Sequence, residues 1–165
     1  MTRKSAGVAE GNARDWITGI NHIALPVRNI AEAARFWTGL FEAEPFGRDD
    51  PGRPNFHFQL PGVVLALFER PGVIGIHVEY PHYGFTATAE GLRRMRRRLE
   101  EAGVKTHQPW TRNRREALMY FRDPSGNLFE LYCPDYDRPE ELALAKQRGG
   151  DFHPDVDALF YDWKG

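Results

Sequence analysis

Three side chains stand out because their neighbours do not explain them. His22 heads the otherwise apolar stretch GINHIALPV, His82 heads HYGFTA, and Glu130 lies inside NLFELYC. An imidazole can hydrogen-bond, ligate a metal or move a proton near neutral pH. Taken alone, a histidine at the head of a strand is equally a surface or hydrogen-bonded residue. Glu130 carries more weight, because a carboxylate between Phe129 and Leu131 is costly to bury unpaired and must reach solvent or meet a cation.

The elements that position these residues occur twice. HIALPVRNIAEAARFWTGLFEAEPF and HYGFTATAEGLRRMRRRLEEAGVKT each open on histidine, run on as a strand and enter an amphipathic helix. In the first copy Asn29 is a candidate N-cap with Glu32 three residues on, and Ile30, Ala33, Trp37 and Phe41 share a helical face. In the second, Thr88 caps and Gly103 closes the helix. NFHFQL and VVLALFE follow the first helix, ALMYFRD and NLFELYC the second, with turns at PG and DPSG. A further short strand is placed near 44–46 and near 106–110. The expected fold is α+β, two βαβββ modules forming a curved mixed sheet around a cavity, with helices on the outer face. The modules span 19–72 and 73–135, between extensions at 1–18 and 136–165.

Strand alternation then separates two faces. Ile23, Leu25 and Val27 point toward a helix, and His22, Ala24 and Pro26 point away. In the second copy His82, Gly84 and Thr86 point away, as do Leu128, Glu130 and Tyr132 of the last strand. Both histidines and the glutamate thus face away from the helices, with small residues leaving room beside them.

The rest of the chain excludes several functions. Its 165 residues carry 22 basic and 23 acidic side chains, so no global field draws it to nucleic acid or to an anionic membrane. The arginine-rich GLRRMRRRLEEAGV is the solvated face of an amphipathic helix, since Leu92, Met95, Leu99 and Ala102 recur at helical spacing. The single Cys133 cannot form an intrachain disulfide, and no stretch reads as a signal peptide or a membrane span. A soluble cytoplasmic protein is expected. In the C-terminal extension, 140–148 reads as a short helix ended by Gly149 and Gly150. Phe152, Phe160, Tyr161 and Trp163 should pack on the sheet, a dimer mate or the pocket mouth.

The paired plan, the histidines of NHIALPV and HYGFTA, and the closing YFRDPSGNLFELYCP resemble the vicinal oxygen chelate superfamily over roughly 20–134. That group includes glyoxalases, extradiol dioxygenases, fosfomycin resistance enzymes and bleomycin-binding proteins. The resemblance implies one divalent metal ion, with His22, His82 and Glu130 as ligands; the fourth position used by four-ligand members falls on Ala66. Two imidazoles and one carboxylate leave coordination positions open, a set that suits Fe(II) and also accepts Mn(II) or Zn(II). A small substrate with neighbouring oxygens would chelate the ion.

The resemblance also implies that Tyr120 lines the pocket and hydrogen-bonds a substrate oxygen. His57, equivalent to Tyr120 by the repeat, should face the same cavity with Gln59. Arg122 is either an anion clamp or a hairpin-edge arginine. The acid–base histidine of extradiol dioxygenases is replaced by Asn113 in TRNRREALMY, and asparagine cannot shuttle a proton. The expected function is a metal-dependent enzyme, an Fe(II) dioxygenase first. A glyoxalase-like lyase or isomerase, or a fosfomycin-type transferase, uses the metal as Lewis acid in the alternative, and a non-catalytic antibiotic binder is the third reading. A homodimer is the expected assembly.

Overall fold

The computed structural model describes residues 20–45, 55–73 and 75–165; the N-terminal extension lies outside them. The first module comprises β1 (His22–Val27), α1 (Ile30–Phe41), β2 (Glu44–Pro45), β3 (Asn55–Leu60) and β4 (Val63–Glu69). The second comprises β5 (Tyr83–Thr86), α2 (Ala89–Glu101), β6 (Trp110–Thr111), β7 (Ala117–Arg122) and β8 (Leu128–Cys133). The duplicated βαβββ order is as the sequence implies. Hydrogen bonding divides the strands into two sheets, ordered β1-β4-β3-β2 and β5-β8-β7-β6-β9, where β9 is Ala143–Leu144. The first strand of each module runs parallel to the last and leaves its other edge open.

Local chemistry accounts for the helix ends. The Asn29 side chain accepts the Glu32 N–H at 2.9 Å and the Glu69 carboxylate accepts the Ile30 N–H at 2.8 Å, so two orphan donors at the start of α1 are satisfied. Thr88 does the same for α2 through the Gly91 N–H. After α2 the chain turns at Gly103, with φ of 77°, a left-handed conformation that favours glycine.

The helix-side faces of both sheets close on one core. Trp37 of α1 is fully buried and packs on Phe58 of its own module and on Phe85 and Phe129 of the other. Phe41 stacks on Phe121 with centroids 5.3 Å apart. At the module boundary the Asn127 amide donates to the Pro26 carbonyl, and the Arg28 N–H donates to Ser125 Oγ. Because the modules meet through their helix sides, the opposite faces, which carry His22 on one sheet and Glu130 on the other, both turn outward.

The C-terminal extension departs from expectation. In place of one helix over 140–148, two single 3₁₀ turns, Pro139–Glu141 and Lys146–Arg148, flank β9. The edge of β6 decides this. Its carbonyls and those beside it take the N–H groups of Ala143 (from Pro109) and Ala145 (from Thr111), and pairing on an open edge outweighs the helical preference of so short a segment. The segment then crosses the outward face of the second sheet, where Ala145, Phe152, Val156 and Leu159 pack on Trp110, Leu118, Tyr120 and Leu128. Trp163 returns to the helix side, stacking edge-on against Phe36 and donating Nε1–H to the Ala102 carbonyl. Of the surfaces open to the aromatic tail, the chain's own sheet and helices receive it. No helix among the described residues is long and apolar enough to cross a membrane.

Candidate functional site

Strand register sets out two equivalent rows. Across the first sheet Ala24, Ala66 and His57 lie side by side, and across the second Gly84, Glu130 and Tyr120 do. Ala66 therefore occupies the position that Glu130 holds in the second module, and His57 that of Tyr120. One carboxylate in two copies makes the two outward faces chemically unequal.

The second face assembles a polar cluster. His82 stands immediately before β5, one residue short of the strand it was expected to head, and its Nε2 lies 3.1 Å from Glu130 Oε2. The other ring nitrogen, Nδ1, is 2.9 Å from the Glu79 carbonyl and so carries the proton donated to it. Nε2 then points at the carboxylate, as a lone pair in the neutral ring or as a second N–H donor in the imidazolium. Glu130 is only 6% exposed, and burial pushes its carboxyl above the ordinary range, while the neighbouring His82 and the Arg112 charge pull it down. Tyr120 lies opposite Glu130 in the ladder and donates its hydroxyl to Glu79 Oε1 at 2.7 Å. Burial and then that bond push the phenol far above its ordinary value, so it remains a donor throughout the physiological range. The Tyr80 ring covers His82 with centroids 5.3 Å apart.

An imidazole nitrogen and a carboxylate oxygen 3.1 Å apart in a largely buried setting share a positive charge, that of a ring proton or of a bound cation. A divalent cation fits the pair: one imidazole Nε2 with its tautomer fixed by a backbone carbonyl, and one carboxylate oxygen. His22 stands elsewhere, exposed on the first sheet with Nδ1 at 3.1 Å from Asn21 Oδ1. Among the described residues no group of three His, Cys, Asp or Glu side chains converges within one chain.

The remaining candidates are dispersed. His57 sits half-buried on the first outward face, its ring edge-on to Phe68 at 5.8 Å. Its expected companion Gln59 is occupied at the β3–β4 turn, donating to the Leu60 and Val63 carbonyls. Arg122 faces no cavity. It is completely buried beneath the C-terminal segment, its guanidinium 4.0 Å from the Phe160 ring centroid and donating to the Val156 and Gly126 carbonyls. It holds the segment to the sheet as a buried strut. Asn113 caps the β6–β7 turn by accepting the Arg115 and Glu116 N–H groups. His77 pairs with Asp157 at 2.9 Å and stacks on Phe160, so it ties down the tail.

Two participants leave little trace in the sequence. Glu79 lies in the inter-module linker, where EYPH gives no periodic signal. His107, to which the sequence assigns no partner, packs edge-on against Tyr120 and Phe152 with centroids 5.5 Å away in each case. Burial pushes its imidazole below the ordinary value, and its Nε2 is buried without a hydrogen-bond partner among the described residues.

Comparisons with known proteins bear on the family and the fold. The sequence profile of the Glyoxalase/Bleomycin resistance protein/Dioxygenase superfamily matches residues 19–131. The glutathione transferase FosA of Serratia marcescens is 32% identical over 118 residues, covering 70% of this chain and 81% of that protein. The metallothiol transferase FosB of Shouchella clausii is 30% identical over 123 residues, covering 70% and 80%. Among solved structures, a point mutant of the fosfomycin resistance protein FosX of Listeria monocytogenes, complexed with Mn(II) and 1S,2S-dihydroxypropylphosphonic acid, superposes with a TM-score of 0.64 at 22% identity. The match covers 75% of this chain and 97% of that one. Lactoylglutathione lyase from Agrobacterium tumefaciens superposes with a TM-score of 0.57 at 20% identity, over 71% and 94%. At these identities the structural likenesses speak to fold alone.

Proposed function

Since this chain belongs to the glyoxalase/bleomycin resistance protein/dioxygenase superfamily, we propose that it is a metal-dependent transferase of the fosfomycin-modifying kind, adding a nucleophile to a small phosphonate with neighbouring oxygens. The observation that carries this reading is the buried His82–Glu130 pair with the imidazole tautomer fixed by Glu79. The relatives favour transfer over the Fe(II) dioxygenase reading, since the similar curated proteins are a glutathione transferase and a metallothiol transferase. Asn113 adds to that preference. The residue in place of the dioxygenase acid–base histidine is bound into a turn and holds no proton for the site.

In this reading His82 and Glu130 hold the ion, and His22 completes the set. A divalent metal there, Mn(II) first and Fe(II) or Zn(II) as competitors, supplies Lewis-acid polarisation of the substrate oxygens it binds. The small Gly84, Ala24 and Ala66 leave space beside the row, and Arg112, ion-paired with Glu116 at 3.4 Å, brings positive charge near Glu130. The ligand set closes in a homodimer, with His22 of one copy reaching the His82–Glu130 pair of the other. Three features support this: the outward direction of both faces, the open edges of β1 and β5, and the exposed Ile20, Val78 and Tyr80 beside them.

The deciding experiment incubates the Mn(II)-loaded protein with fosfomycin and either glutathione, another thiol or water, and follows the phosphonate by phosphorus NMR. A new phosphonate adduct formed at equal rates with and without O₂ is the expected outcome. Turnover that requires O₂ would restore the dioxygenase, and tight binding without turnover would favour a sequestering protein.

A further inference from the structure

The linker residue Glu79 touches both halves of the site with different atoms. Its backbone carbonyl accepts His82 Nδ1–H at 2.9 Å, and its carboxylate Oε1 accepts the Tyr120 hydroxyl at 2.7 Å. Tyr120 has one proton to give, lies directly opposite Glu130 in the β7–β8 ladder, and is near enough to Glu130 to stabilise that carboxylate as well. Two carboxylates thus compete for the proton, and the geometry gives it to Glu79. The consequence falls on Glu130. A phenol hydrogen-bonded to its oxygens would draw on the negative charge that holds a cation, whereas a phenol turned to Glu79 leaves that charge to the cation.

From this geometry we infer that Glu79 is a positioning residue of the metal site: its carboxylate holds the Tyr120 hydroxyl away from Glu130, and its carbonyl fixes the His82 tautomer. The two roles are separable by mutation, because a side-chain substitution leaves the carbonyl in place. Glu79 is half-buried at the mouth of the cluster rather than in the core, so truncating it removes little packing. The inference rests on the metal-site reading above, and its test reads metal affinity rather than turnover.

Mn(II) affinity is measured by calorimetric titration of the full-length wild type and of Glu79→Ala, Glu79→Gln, Tyr120→Phe and the double variant Glu79→Ala/Tyr120→Phe, each checked by circular dichroism. Glu79→Ser replaces the alanine variant if the latter does not fold. Freed from Glu79, the Tyr120 hydroxyl turns to Glu130, and Glu79→Ala should bind Mn(II) about tenfold more weakly, the scale of one hydrogen bond to a charged group. Glu79→Gln, which keeps an acceptor oxygen, should stay within about threefold of wild type. The double variant, with no phenol proton to misdirect, should recover the affinity of Tyr120→Phe alone. A merely structural role for Glu79 would not be repaired by removing a second group. Unchanged affinity in Glu79→Ala, a double variant as weak as Glu79→Ala, or a Glu79→Gln as weak as Glu79→Ala would each overturn the inference. A wild type that binds no Mn(II) would overturn the metal reading beneath it.

Discussion

His82 Nε2 stands 3.1 Å from Glu130 Oε2, while His82 Nδ1–H is committed to the Glu79 carbonyl. A buried carboxylate beside an imidazole is held by a ring proton or by a bound cation, and both side chains are metal ligands. Mn(II) should therefore stabilise the protein, by about 2.7 kcal/mol when free metal is about a hundredfold above its Kd. His82→Ala and Glu130→Ala should abolish that gain while remaining folded. Thermal melts with and without metal check it.

The placement of His22 on a separate outward face makes the origin of the third ligand testable. His22→Ala and Glu130→Ala homodimers should each lose tight metal binding, but a refolded mixture of the two variants should regain it in about half of its sites within heterodimers. There, an intact His82–Glu130 pair on one copy meets an intact His22 on the other. Mixtures that stay as inactive as their components would require the ligands to come from one chain.

Stability should also respond to pH through Asp123, which lies buried at the β7–β8 turn. Burial raises its carboxyl from 3.8 to about 6, against the pull of N–H donors from Asn127 and Ser125. A carboxyl raised on folding contributes stability that is complete below about pH 4 and is lost as pH rises through about 6. The amount is about 3 kcal/mol at most, since each tenfold change in proton affinity is worth about 1.36 kcal/mol. Urea unfolding between pH 4 and 7 should show this decline in the wild type and a flatter profile in Asp123→Asn.

At the same turn, Gly126 should tolerate no side chain. Its φ is 88°, and a Cβ there would stand 2.8 Å from the Phe160 ring and 2.9 Å from Gly75 Cα. Gly126→Ala should therefore cost about 2–4 kcal/mol, the sum of a disfavoured backbone and an overpacked contact. Chemical denaturation would measure it, and a cost below about 0.5 kcal/mol would contradict the close approach of the tail to this turn.

Phe160→Ala tests the burial of Arg122. The ring lies 4.0 Å from a guanidinium that otherwise donates to carbonyls, and one of its nitrogens, Nη2, has no hydrogen-bond partner among the described residues. Removing the ring should cost about 2–4 kcal/mol and loosen the C-terminal segment, seen as faster amide exchange over 152–161.

Much of this molecule is written in local pattern. The capped helices, the β3–β4 and β7–β8 hairpins and the twofold repeat follow from periodicity, capping and turn chemistry, all of which act within short stretches of chain. The faces follow from strand alternation, which by itself puts His82, Tyr120 and Glu130 on one side. Ala66 and His57 fall opposite their counterparts for the same reason, since a repeat with equal spacing must repeat its register.

Tertiary structure decided the rest, because it turned on which surfaces meet. Alternation says that a face points away from its helix but not whether two such faces enclose a cavity within one chain. The aromatic side of α1 settled that by packing on both sheets, which sent His22 and Glu130 outward on different faces. Arg122 and Tyr120 share a strand face, and only the path of the C-terminal segment made one a buried strut and left the other in the polar cluster. The edge pairing that replaced the expected helix over 140–148 depended on β6, a strand of the second module that the segment's own sequence does not reveal. Glu79 lies in a linker whose course is set by what it joins, so its hold on both His82 and Tyr120 is a property of the folded chain alone.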